Sequence, residues 1–423
     1  MPAWCVNFFE HCDSGEQKCI VTQRGEKLRR QNCVKTSIHQ GKHLYLEYDL
    51  YHENVTPAII RGTYNLFMTS VMPRPIQASI DLSALERNLH AARRLTSARI
   101  MAVIKANAYG HGLLRAAEAL HAADGFAVLD LGDAVRLREA GLRQTILLLE
   151  GVFSAADMNV LAEYDISIVL HGRHQVAMLD AYPRRGGLSV WLKVNSGMNR
   201  LGFIPQEVPV VMAQLKAHAA VRDVTLMTHF ANADEAEGVV AQMERFNALA
   251  APCNMPRSLA NSAALLRYPA THGDWVRPGI MLYGSSPFAK TSARELGLRP
   301  VMTLSSEIIS VREIQAGEQV GYGGLFRAER RMRVGVVACG YADGYPRHAP
   351  TGTPVLVQGQ RTSLVGRVSM DMLSVDLSAL PDADVGSRVI LWGEGLPVDE
   401  VALAAGTISY ELLCAVAARV PVV

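Results

Sequence analysis

Apolar residues fall along most of the chain in short runs that alternate with longer amphipathic segments. Between Ile100 and Gly284 eight such pairs follow one another: MAVIK (101–105), GFAVLD (125–130), TILLLE (145–150), ISIVL (166–170), LSVWLKVN (188–195), VTLMTHF (224–230), RSLAN (257–261) and WVRPG (275–279) are the apolar members. Several are apolar almost throughout, as parallel strands covered on both faces must be. The segments between them, such as HGLLRAAEALHAA and EAEGVVAQMERFNALAA, carry the spacing of helices with one buried stripe. Eight strand and helix units predict a (β/α)8 barrel, with a doubly wound open sheet as the alternative that counting strands leaves open. After about Leu298 the rhythm changes to short alternating runs broken by glycine, as in RVGVVACGYADG and GSRVILWGEG, which predicts an antiparallel β domain. Helical spacing returns in PVDEVALAAGTISYELLCAVAARV, read as two short helices joined around Gly406.

Composition adds a boundary to this picture. Residues 1–71 hold two alanines and four cysteines, Cys5, Cys12, Cys19 and Cys33, whereas the next fifty residues hold eleven alanines. The two stretches do not read as one domain. The chain of 423 residues is therefore expected to comprise an atypical extension (1–71), a barrel (72–298) and a mostly antiparallel β domain (299–423). Two readings of the extension stand side by side: translation assigned too far upstream, with Met72 as the start, or a functional segment. Because every motif named below lies downstream of Met72, a chain beginning there is expected to fold and to keep full activity. Side-by-side expression and assay tests this, and loss of soluble protein or of activity on truncation would give the extension a role.

The remaining bulk properties mainly exclude. A net charge of +2 argues against nucleic acid or another polyanionic partner. No run of about 18 apolar residues is present to span a membrane. Seven cysteines without a C-x-x-C pair indicate neither a disulfide framework nor a zinc site, and no metal is expected. The opening MPAWCVNFFEHCDSGEQKC lacks the basic start and continuous apolar stretch of a secretory signal, so the cytoplasm is the expected location.

In a barrel of this kind, chemistry is delivered by the C-terminal ends of the strands. The first run ends on Lys105, the fifth leads into Lys193 and Arg200, the sixth ends at His229, the seventh at Asn261 and Ser262, and the eighth reaches Arg277. Any one could be an ordinary solvated or structural group; together they favour a site. Lys105 is the sharpest, because burial at the end of an apolar strand lowers an amine's pKa and keeps part of it neutral, as Schiff-base formation requires. A lysine snorkelling to the rim is the plain alternative. Ser262, with Gly279 and Ile280 after the eighth strand, offers hydroxyl and backbone N–H groups to a phosphate. A reactive lysine beside a phosphate site points to pyridoxal phosphate.

The segment AVIKANAYGHG (102–112) resembles the cofactor-lysine signature of alanine racemases, and the resemblance continues through LKVNSGMNRLG, MTHFANAD, LANSAA, WVRPGIMLYG, VGYGG, GYADGYPR, GRVSMDM and TISYE. It covers roughly residues 72–423 and implies a pyridoxal-phosphate barrel followed by a β domain, working as a homodimer with shared active sites on alanine. By this resemblance Lys105 carries the cofactor and is one catalytic base, and Tyr109, Ser262, Gly279, Ile280 and Tyr410 contact its phosphate. His229 and Asn261 fall among the cofactor-binding residues, and Arg277 faces the pyridine nitrogen. A guanidinium has no proton to give at working pH, so that nitrogen would stay unprotonated and racemisation would be favoured over transamination.

The second base implied by the resemblance is Tyr322 of the partner subunit, with His229 and Arg277 lowering its pKa. Arg200 corresponds to the arginine near the cofactor's phenolic oxygen and the substrate carboxylate, and Lys193 to a lysine that is often carbamylated. Asn195 stands where many members have aspartate, which makes the surroundings of Lys193 a departure from the pattern. Met370 and Asp371 resemble a substrate-binding pair supplied across the dimer, and Tyr341 an entrance-lining tyrosine. A barrel-type decarboxylase is disfavoured by Arg277 and by the absence of C-E-S/T-G-D, and a carrier built from the barrel alone by the β domain. Serine, lysine or broad specificity stays open, since a methylene changes binding by only about 1–3 kcal/mol.

Overall fold

The computed structural model describes residues 74–183, 187–250 and 254–423 in full and, of the first 73 residues, the backbone of five strands. Two compact units make up the chain, Met1–Pro73 and Arg74–Val423. In the first, Cys5–Phe8 pairs antiparallel with Cys19–Thr22, and Cys33–His39, His43–His52 and Val55–Asn65 form a three-stranded antiparallel sheet. The expectation about an atypical extension over 1–71 otherwise falls outside the described residues.

The second unit contains a closed ring of eight parallel strands, β1 (Arg99–Val103), β2 (Gly125–Val128), β3 (Thr145–Leu148), β4 (Ile166–Leu170), β5 (Leu188–Lys193), β6 (Val221–Met227), β7 (Arg257–Ser258) and β8 (Trp275–Val276). Each pairs with the next, and β8 closes on β1 through Trp275 opposite Arg99 and Val276 opposite Ile100. Every residue of β2, β4 and β5 is buried. This explains the continuous apolar runs: helices cover one face and barrel-filling side chains the other. A helix follows each of β1 to β7, for example Leu131–Glu139 after β2 and Arg173–Asp180 after β4. The open-sheet alternative is excluded by the closure.

The strands stop short of the apolar runs that announced them. β1 ends at Val103 rather than at Lys105, and β2 ends at Val128, which frees the Asp130 side chain to accept the Asp133 N–H at 3.2 Å and cap the next helix. β7 and β8 are two residues each. In the eighth run Pro278 has no N–H to give a ladder, so the strand gives way to the loop that follows.

Beyond the barrel lies a seven-stranded sheet ordered Gln360–Ser363, Pro354–Val357, Arg388–Trp392, Met302–Ile314, Met332–Val337 and Leu373–Asp376, with Gln77–Ile80 paired onto Met302–Ser305. All its pairings are antiparallel. Gln77–Ile80 precedes the barrel in sequence yet belongs to this sheet, and its Ala78 and Ile80 N–H groups donate to the carbonyls of Pro421 and Val423 at 2.9 Å each. The helices Val398–Ala404 and Ser409–Ala415 flank Gly406, whose φ of 70° is the left-handed value a glycine adopts at no steric cost. Among the described residues no helix is long and apolar enough to cross a membrane.

Candidate active site

The site begins with an unusual turn. Past β1 the chain enters a helical turn, Lys105–Tyr109, in which Ala106, Asn107, Ala108 and Tyr109 have φ between 52° and 54°. Left-handed geometry costs an L-residue about 1–2 kcal/mol, so four in succession need support from elsewhere. The support is visible. The Ala108 N–H donates to the Ile104 carbonyl at 2.9 Å, Gly110 to Ala106 at 3.1 Å and Gly112 to Asn107 at 2.9 Å. The Asn107 side chain accepts the Leu113 N–H at 2.9 Å, and buried His111 Nδ1 lies 2.9 Å from both the Ala108 and Tyr109 carbonyls. With acceptors on both sides, Nδ1 carries the proton. The Tyr109 ring stacks on Tyr283 at 4.6 Å, and the Tyr283 hydroxyl donates to the Val103 carbonyl at 2.9 Å. The turn bends the chain back directly after the strand, so Lys105 and Tyr109 face one cavity.

Exposed Ala106 offers a direct measure of the strain. Glycine there removes about 1–2 kcal/mol of left-handed cost and adds about 0.5–1 kcal/mol of backbone entropy. Ala106→Gly is therefore expected to raise stability by about 0.5–1 kcal/mol, read as a shift of the urea midpoint; a clear loss of stability would mean that the turn carries no strain. At buried Ala108 the same exchange also gives up a methyl worth about 0.8 kcal/mol, so no gain is expected.

The cavity, of about 710 Å³, sits at the C-terminal ends of the barrel strands and is a size suited to a small cofactor with its substrate. It brings together Lys105, Tyr109, Lys193, Arg200, His229, Asn261, Ser262, Arg277, Gly279, Ile280 and Tyr410, eleven of the fifteen residues singled out in the sequence. Four of them are cations by type, against Glu150 as the only carboxylate among the described lining residues. Burial depresses the Lys105 pKa, with Arg200 adding to the effect. The same burial, with Arg277 and Arg200 nearby, brings Lys193 down to about 8. A cavity so charged suits a polyanion that brings an electrophile to an amine.

Among the described residues, buried Arg277 has no carboxylate partner. Its Nη1 donates to Ser258 Oγ at 2.7 Å, and its Nη2 to the Thr228 carbonyl at 2.6 Å and the Leu259 carbonyl at 3.3 Å. Burial lowers its pKa only to about 10, so it remains a cation near neutrality. Nη2 also lies 3.4 Å from His229 Nδ1. Burial, then Arg277, hold the His229 pKa well below its ordinary value, so the ring is neutral. Since a guanidinium only donates, Nδ1 must be the bare nitrogen and Nε2 carries the proton.

At the other end of the cavity, Ser262 Oγ accepts the Gly279 N–H at 2.9 Å, and Asn261 caps the helix Ser262–Arg267 by accepting the Ala264 N–H at 3.0 Å. A Cβ on Gly279 would stand 2.6 Å from the Tyr109 hydroxyl, so only glycine leaves this corner open. Hydroxyls of Tyr109, Ser262 and Tyr410 and the backbone beside Gly279 and Ile280 converge there, a donor set matching a phosphate ester. Burial raises the pKa of both tyrosines, which keeps their hydroxyls protonated as donors. The residues thus fit pyridoxal phosphate at both ends: an amine of lowered pKa for the aldehyde, and uncharged donors for the phosphate.

Tyr322, Tyr341, Met370 and Asp371 do not line this cavity. Tyr322 is 69% exposed and follows Gly321, at φ 75°; Tyr341 and Met370 are exposed as well. Sequence reasoning missed Glu150, His171 and Cys414 in the lining. Glu150 ends the third apolar run and His171 follows the fourth, so the strand-end rule applied to all eight strands would have found both. Cys414 lies four residues after Tyr410 on the helix Ser409–Ala415, the spacing that puts two side chains on one face.

Known proteins resemble the chain across both the barrel and the antiparallel sheet. Residues 80–287 match the family model for the alanine racemase N-terminal domain, and residues 301–423 that for the C-terminal domain. The chain is 64% identical over 352 residues to an alanine racemase of Nitrosospira multiformis, an alignment covering 82% of this chain and 99% of the relative. It is 54% identical over 354 residues to a catabolic alanine racemase of Klebsiella aerogenes, covering 83% and 99%. The solved structure of the biosynthetic alanine racemase from Pseudomonas aeruginosa superposes with a TM-score of 0.81 at 51% identity, covering 83% of this chain and 99% of that one.

Proposed function

The chain belongs to the alanine racemase family, and from that premise we propose that it interconverts L- and D-alanine as a homodimer, using pyridoxal phosphate and two bases, Lys105 and Tyr322 of the partner subunit. When bound, pyridoxal phosphate supplies a carbonyl that captures the substrate amine and a conjugated ring that accepts the electron pair left at Cα. The observation carrying the reading is a lysine of depressed pKa in a cavity lined, among the described residues, by four cations against one carboxylate and by the hydroxyls of Tyr109, Ser262 and Tyr410.

Lys105 anchors the cofactor and, once its amine is displaced by substrate, takes or returns the Cα proton on the D face. Burial, then Arg200, lowers its pKa and so favours the neutral amine that both tasks require. The L face needs a second group. Tyr322 is absent from the cavity of its own subunit and exposed beside glycines, which supports its delivery to the site of the other subunit. A phenol of ordinary pKa about 10 is a weak base near neutrality. Neutral His229 has Nε2–H left to donate, and a hydrogen bond from it, with the Arg277 cation behind it, would stabilise the phenolate form of that base. Arg277 would also hold the ring-nitrogen side of the bound cofactor, and Arg200 the substrate carboxylate. Met370 and Asp371, with Tyr341 at the entrance, complete the substrate side from the partner subunit.

Purified protein supplied with pyridoxal phosphate is expected to racemise L-alanine, followed by chiral chromatography, and to turn over L-serine and L-lysine more slowly. Alanine left untouched would overturn the reading; equal rates on all three would favour a broad-specificity racemase.

Lys193 gives a pH-dependent expectation. Carbamylation by CO2 requires the neutral amine, and with a pKa of about 8 its neutral fraction rises from roughly a tenth near pH 7 to roughly nine-tenths near pH 9. Arg277 and Arg200, which disfavour a cation there, favour the carbamate anion. At fixed CO2 pressure, a 13C carbamate signal that grows across this range and disappears in Lys193→Ala is expected. A signal that is absent, or insensitive to that substitution, removes Lys193 from this role.

A further inference from the structure

Four segments far apart in the chain meet around one buried carboxylate. Asp343, fully buried in the turn Tyr341–Asp343, accepts from Arg419 Nε at 2.7 Å, from Arg74 Nη1 at 3.1 Å and from the Gly340 backbone N–H at 2.9 Å. Both guanidiniums reach on to the neighbouring loop. Arg419 Nη2 donates to the Asp371 carboxylate at 2.6 Å, and Arg74 Nη2 to the Asp371 carbonyl at 2.7 Å. The two loops are also joined backbone to backbone, Tyr341 N–H to the Ser369 carbonyl at 3.0 Å and Ala342 N–H to the Met370 carbonyl at 2.9 Å. A Cβ on Gly340 would stand only 2.3 Å from the Met370 carbonyl oxygen, so nothing larger than glycine allows that approach.

We propose that the cluster of Arg74, Asp343, Arg419 and Asp371 is a positioning device acting in trans: it fixes the loops bearing Tyr341 and Met370 for the substrate bound in the opposite subunit. This rests on the reading that those loops complete the partner's site. A carboxylate with no access to water must have its oxygens satisfied by protein donors, so Asp343 ties both guanidiniums, and through them the Asp371 loop, into one geometry. None of the four touches the cavity beside Lys105 in its own subunit. Their effect is therefore confined to substrate binding across the dimer.

The test is made on the holoenzyme. Arg419→Gln, at a half-exposed position, is expected to raise the KM for alanine about tenfold with a much smaller change in kcat, and Arg419→Lys to recover part of the loss. The decisive measurement uses hybrids of Arg419→Gln and Lys105→Ala subunits, purified through two different tags. In such a hybrid the one site retaining Lys105 receives wild-type loops from the Lys105→Ala subunit, so its KM should return to the wild-type value. A hybrid KM as high as that of the Arg419→Gln homodimer would place the effect within the subunit and overturn the proposal. So would an unchanged homodimer KM. If Arg419→Gln does not fold, Arg74→Gln cuts the same cluster from the other side and is read by the same criterion. A parallel hybrid of Tyr322→Ala with Lys105→Ala separates the two claims, because inactivity there removes the shared-site reading itself.

Discussion

Inactive Tyr322→Ala subunits mixed with inactive Lys105→Ala subunits are expected to regain racemisation, to roughly a quarter of the wild-type rate when mixing is random. The reasoning is geometric. A racemase removes a proton from one face of Cα and returns one to the other, and a single group at the end of a barrel strand can hardly reach both. Lys105 lies in the cavity, whereas Tyr322 is 69% exposed and outside it. Each hybrid dimer then holds one site with two good bases and one with none. Tyr322→Ala alone should cripple racemisation in both directions yet retain part of the α-proton exchange of D-alanine in deuterated water, because Lys105 remains. Demonstrated subunit exchange with no recovered activity would sink the shared two-base arrangement.

The second large effect is expected at Arg277. Its guanidinium is enclosed by the Thr228 and Leu259 carbonyls and Ser258 Oγ, with His229 at its edge. Arg277→Glu sets a carboxylate against those carbonyl oxygens and withdraws the cation behind His229, so Tyr322 loses much of its help as a base. A carboxylate in place of Arg277 would also favour a proton on the ring nitrogen of the bound cofactor, which favours transamination over racemisation. Racemisation should fall by two orders of magnitude or more, the scale typical of removing one preorganised electrostatic group, while pyruvate from alanine becomes measurable. Far-ultraviolet circular dichroism and cofactor content separate this outcome from misfolding. A folded, cofactor-loaded variant that racemises at the wild-type rate without pyruvate would refute the role given to Arg277.

Much of this site was legible before any coordinates, for a physical reason. A parallel barrel buries both faces of its strands, so the runs GFAVLD and ISIVL announce themselves, and polar residues at their ends stand out against an apolar background. Lys105, His229 and Arg277 could be found in that way. The turn after β1 could not. Ala106, Asn107, Ala108 and Tyr109 include no glycine, and the left-handed conformation they share is held by the nearby His111 side chain and by the long-range stack of Tyr109 on Tyr283, contacts that helix or strand propensity does not encode. The run MAVIK therefore read as strand to its end. β7 and β8, at two residues each, are likewise too short for periodicity; Arg277 was placed there by its neighbours Trp275 and Val276. The grouping of Tyr341 with Asp371 through Asp343 and two arginines joins residues from remote segments, and only the folded chain brings them together.

The strand Gln77–Ile80 sets an order of events for a chain made from one end. It leaves the ribosome before any part of the barrel, yet its neighbours are Met302–Ser305 on one side and Pro421–Val423 on the other. Its backbone groups must wait, hydrated and unpaired, while β1 to β8 are synthesised and free to close. The barrel can thus ripen during translation, whereas the sheet can be stitched shut only after Pro421–Val423 have emerged.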